Sequence, residues 1–146
     1  MPNNPPDPFP TVKLNVPYLK TILDLVRDPK QERLIIIFHA ESPEEGTWVL
    51  ANATSRLERS HTTVFADEMQ RPTEIIEQAL REKVSTALVG EIRRTEDTHA
   101  MRTAAGMGLK IVAYIATKDP AQYRDMVSGL GPWTNYNIRS LTRDQK

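Results

Sequence analysis

The feature that most constrains this chain is an alternation. Short apolar runs of strand length are separated, four times over, by longer stretches of helical periodicity. The first run, Leu34-Ile35-Ile36-Ile37-Phe38, is continuously apolar, the pattern of a strand covered on both faces. Ser42-Pro43-Glu44-Glu45 then opens a helix that reaches about Arg59. Thr62–Ala66 reads as a second strand, and Pro72 opens a helix carrying Ile75, Ile76, Ala79 and Leu80 on one face. Ser85–Val89 is a third strand. Thr95 or Glu96 opens a helix with Ala100, Met101, Ala104 and Ala105 inward, stopped by Gly106 and Gly108. Lys110–Ala116 is a fourth strand, followed by a helix capped by Asp119, with Pro120 in its first position. Gly129 and Gly131-Pro132 close it, and the polar stretch beyond is expected to be coil or a short helix. Ahead of the first strand, Leu19, Ile22, Leu23 and Val26 mark a short amphipathic helix that ends at Asp28-Pro29.

Repeated strand–helix units imply right-handed crossovers and a mostly parallel sheet flanked by helices, an α/β fold in three layers. Ligands in such folds sit at the C-terminal ends of the strands. Those ends fall at His39–Glu45, Asp67-Glu68, Gly90–Arg94 and Thr117–Asp119.

The size fits one domain, taken as residues 12–146, preceded by a flexible Pro- and Asn-rich tail at 1–11. With no cysteine there is no disulfide scaffold, thiolate nucleophile or cysteine-held metal. Nineteen basic against nineteen acidic side chains argue against a broad nucleic-acid surface, and no aromatic–basic interleave suggests single-stranded nucleic acid. No apolar run is long enough to span a bilayer, and the first ten residues hold five prolines and no basic residue, unlike a signal peptide. A cytoplasmic protein is the expectation. His39, His61 and His99 lack metal-ligand spacing, so no metal is expected from them.

The third strand runs into Leu88-Val89-Gly90-Glu91-Ile92-Arg93, an apolar stretch ending in an acid at a strand tip. A carboxylate placed there can order a magnesium-bound or attacking water in phosphoryl transfer. With Ala79-Leu80-Arg81-Glu82 before it and Glu96, Thr103-Ala104-Ala105 and Gly108 after it, the stretch from Val12 to about Arg139 resembles the motor domain of the secretion ATPases. These drive type II and type IV secretion and type IV pilus movement. Val16-Pro17 with Leu19 and Leu23 is similar to the family's approach to its phosphate loop. The resemblance implies a RecA-like, P-loop NTPase-like domain and a nucleotide pocket built from Glu41, Ser42, Glu44, Glu45, Thr47, Asp67, Glu68, Glu91 and Arg93.

That pocket is degenerate. The family's first strand feeds a Gly-rich loop ending in Gly-Lys-Ser/Thr, whose backbone N–H groups and lysine cradle phosphates. Here Glu44 and Glu45 stand where the last Gly and the Lys belong, and only Thr47 keeps a magnesium-side hydroxyl. Glu41, Glu44 and Glu45 would repel a triphosphate, each like-charge pair costing about 1 kcal/mol in water and several in a drier pocket. Pro43 removes one N–H. Ser42-Pro43-Glu44-Glu45 instead reads as a capping box, with the helix satisfying its own positive end. Ala66 replaces a usual acid beside Asp67-Glu68, and Leu109 and Ala116 fall where the family has histidines.

The resulting expectation is a pseudo-ATPase with no catalytic residues and no cofactor. It would act through protein partners such as secretion or pilus ATPase subunits or other components of a secretion, conjugation or pilus machine, or through copies of itself. Two alternatives stay open. Strand-end carboxylates Glu41, Asp67, Glu68, Glu91 and Asp119 could hold Mg²⁺ or Mn²⁺ for phosphodiester hydrolysis, as in a metal-dependent nuclease. An altered pocket could bind a nucleotide without a γ-phosphate.

Overall fold

The computed structural model describes residues 15–57, 62–64 and 71–143. The proposed tail at 1–11, His61, the end of the second strand and Asp67-Glu68 lie outside the described residues. In chain order the elements are α1 (Leu19–Arg27), β1 (Leu34–Ala40), α2 (Pro43–Arg56), β2 (Thr62–Val64) and α3 (Pro72–Glu82). There follow β3 (Thr86–Glu91), α4 (Thr95–Gly106), β4 (Lys110–Ala116), α5 (Pro120–Gly129) and β5 (Asn137–Leu141). The strands form one sheet in the order β2-β3-β4-β1-β5, every pair parallel.

All seven residues of β1 are buried, because β1 has a strand on either side and helices on both faces. Leu34, Ile36, Phe38 and Ala40 pack against Ile22 and Val26 of α1 and Val49, Leu50 and Ala53 of α2. Ile35 and Ile37 face the opposite way, into a core with Ile75 and Ala79 of α3, Met101 and Ala104 of α4 and Tyr123 of α5. The chain is therefore a three-layer α/β domain of RecA-like type, with α1 and α2 on one face and α3, α4 and α5 on the other.

Local sequence explains the ends of the elements. Ser42 Oγ accepts the Glu45 N–H at 3.1 Å and Asp119 Oδ1 accepts the Ala121 N–H at 2.9 Å, each followed by proline in the first helical position. Gly108, at φ +100°, takes the left-handed turn that releases α4 into β4. Lys110 Nζ donates to the carbonyls of Val26 and Asp28 and so caps the end of α1 from across the sheet. In β3 the register against β4 shifts between Leu88 and Gly90, and Gly90 carries the bulge at φ +95°. The bulge sets Glu91 beside Tyr114.

One expectation is corrected here. The polar stretch after α5, read as coil or short helix, contains a fifth strand. Asn137–Leu141 pairs in parallel with Leu34–Phe38. Its sequence, Asn-Ile-Arg-Ser-Leu, has no clean alternation, and its attachments reach residues far away in the chain.

Candidate functional site

The helices that follow β1 and β4, neighbouring strands, lie on opposite faces of the sheet. The crevice between the C-terminal ends of those two strands is thus the topological switch point, where open α/β sheets take ligands. Around it several of the protein's own groups pair with one another. The Thr117 N–H donates to the Ala40 carbonyl at 2.9 Å, prolonging the ladder past the strand ends. His39, buried, places Nε2 at 2.6 Å from the Thr117 carbonyl and stacks on Tyr123, ring centroids 4.9 Å apart. The Tyr123 hydroxyl donates to the Ile37 carbonyl at 2.8 Å and meets Ser140 Oγ at 2.9 Å.

On the α2 side the acidic turn folds over itself. Ser42 is the N-cap, as the sequence implied. The Glu45 carboxylate turns back across the helix N-terminus, with Oε1 accepting the Glu41 N–H at 3.0 Å. This is one residue earlier than an ordinary capping box, which would use the N–H of the cap residue itself. Glu44 is exposed in the first turn, where its charge complements the helix dipole, and Thr47 is half-buried one turn into α2.

Arg143 completes the turn. Its guanidinium reaches Glu41 Oε1 at 2.7 Å with Nη1 and Glu45 Oε2 with Nη2. Partial burial works against the Arg143 charge, but the hydrogen bond and charge of Glu45, the Tyr18 hydroxyl and Glu41 outweigh it and raise its pKa. Tyr18 donates its hydroxyl to the His39 carbonyl at 2.8 Å, and burial raises its pKa against the opposing effect of Arg143. The repulsion expected between Glu41 and Glu45 is thereby offset by a shared cation. Sequence reading missed Arg143, because it stands in a polar stretch with no pattern, 102 residues from Glu41 and 98 from Glu45.

Tyr114 fills the space between this turn and the tip of β3. Its hydroxyl donates to the Pro43 carbonyl at 3.2 Å. A β-carbon at Gly46 would come within 2.3 Å of its ring, so glycine is required there. Glu91 stands beside Tyr114 in the sheet, and its carboxylate is forked by Arg93, whose Nε and Nη2 reach Oε1 at 3.2 and 3.1 Å. The strand-tip acid is therefore engaged by a neighbouring cation. Behind it Asp97 caps α4, its Oδ2 accepting the N–H groups of Arg93 and Arg94 at 3.2 and 3.1 Å.

Of the residues named from sequence, the structure brings Glu41, Ser42, Glu44, Glu45 and Thr47 together at one turn and sets Glu91 with Arg93 at the tip of β3. Asp119 serves as the N-cap of α5. Among the described residues no three His, Asp or Glu side chains form a group that could hold a metal ion. No helix among them is long and apolar enough to cross a membrane.

No protein-family model and no curated protein matches this chain. Among solved structures, the chain is similar to one in the crystal structure of Rif2 in complex with the C-terminal domain of Rap1. The identity is 11% and the TM-score 0.44, over 87% of this chain and 52% of that one. This chain thus spans about half the length of that protein, and the likeness carries no argument about function.

Proposed function

We propose that this chain is a pseudo-ATPase, a secretion-ATPase-like domain that acts by binding protein. It would work in the cytoplasm as a regulatory or structural component of a type IV secretion, conjugation or pilus-type machine. Its partners would be motor ATPase subunits or other components of that machine. The observation that carries the reading is the Glu45 carboxylate lying back over the N-terminus of α2, paired with Arg143. A helix N-terminus at a switch point is a ready site for a phosphate, and here an internal anion takes that role. The loop also lacks the glycine and lysine that a triphosphate would need.

The test is a binding measurement with purified motor ATPases from the same cell's secretion and pilus systems, followed by light scattering on a sizing column. A complex with one of them, formed equally with and without ATP, is the expected result. Failure to bind any of them would overturn the assignment to such machines.

A further inference from the structure

β5 lies along a fully buried strand, yet none of its own five residues is fully buried. Its apolar contribution is Ile138 on one face of the sheet and Leu141 on the other, both only partly buried. The remaining side-chain attachments are polar and recur every third residue. Asn137 Nδ2 donates to Gln31 Oε1 at 2.5 Å at the start of the strand. Ser140 Oγ meets the Tyr123 hydroxyl in its middle. Arg143, two residues past its end, holds Glu41 and Glu45. An edge strand held this way has little apolar burial to resist local opening. Its last stitch is also the one that salt can weaken, since the side chains of Arg143 and Glu41 are 39% and 55% exposed.

We propose that Asn137–Arg143 is a strap with an ionic latch. The Arg143 guanidinium on Glu41 and Glu45 keeps β5 docked along β1, and screening or loss of that charge lets the strap leave the sheet edge as a unit. Opening would uncover the backbone edge of β1 and the acidic turn at 41–45 in one step, coupling that turn to the adjacent edge of the sheet. The inference rests on the same Glu45–Arg143 pairing as the proposed function, but not on the loss of nucleotide binding.

Hydrogen exchange of the whole chain, read by mass spectrometry and referenced to peptides from β3 and β4, tests it. In Arg143→Gln the peptide covering 137–143 should exchange about three- to fivefold faster, the factor expected when a part-exposed ion pair is lost. Raising salt to about 0.5 M should speed this peptide in the unmodified chain and add little in Arg143→Gln. Arg143→Lys, whose point charge cannot fork two carboxylates, should fall between. Unchanged exchange in Arg143→Gln, or equal acceleration by salt in both chains, would overturn the latch. A MgATP titration of the same samples reports on the pocket alone, so the two readings can fail separately.

Discussion

Gly46 sits where the chain has no room for a side chain. The Tyr114 ring occupies the place of its β-carbon, and Tyr114 is pinned by its bond to the Pro43 carbonyl. Gly46→Ala should therefore cost about 1–3 kcal/mol in urea denaturation, the usual range for overpacking. Adding Tyr114→Leu should lose less than the sum of the two single changes, and strict additivity would contradict the contact. Tyr123 makes a second residue-scale prediction. Burial pushes its hydroxyl up to about 12 from 10.0, with the Ser140 hydrogen bond opposing. The folded state thus holds this proton more tightly than the unfolded chain. The stability it contributes is complete below pH 10 and declines as pH rises from 10 toward about 12, by roughly 2 kcal/mol. Melts across that window should show a shallower alkaline loss in Tyr123→Phe than in the unmodified chain. Parallel losses would mean that another group governs that limb.

At the scale of elements, what was legible followed from local signals. β1 announced itself by its apolar run, β4 by a run bounded by turn residues, and α2 and α5 by a capping residue followed by proline. Those caps predict that Ser42→Ala and Asp119→Ala each lower stability by about 1 kcal/mol in urea, while the conservative exchange Ser42→Thr costs less. A negligible effect of Ser42→Ala would show that the Glu45 carboxylate alone suffices to cap α2. β5 was not legible, because its partners are the backbone of β1 and the side chains of Gln31 and Tyr123, contacts that no local window contains. The site shows the same division. Its acids lie next to one another in the chain and could be read as a charged turn. The cation that balances them, Arg143, stands two residues past the strand that was missed, and the ring that fills the space beside them, Tyr114, comes from β4.

For the whole molecule, the three layers place a switch point between β1 and β4, and the groups that meet there bind one another. His39 with Thr117, Tyr123 with Ser140, Tyr18 with the His39 carbonyl, and Glu45 with Arg143 leave the crevice tied from both faces. In the proposed reading the Glu45 carboxylate, folded back over the N-terminus of α2, stands where a phosphate would lie. Under the proposed function the domain would act through its surfaces and would bind no ATP. Calorimetric titration of the intact chain with MgATP tests this most directly. The account predicts no measurable heat of binding up to millimolar nucleotide, and a saturating isotherm with micromolar affinity would contradict it.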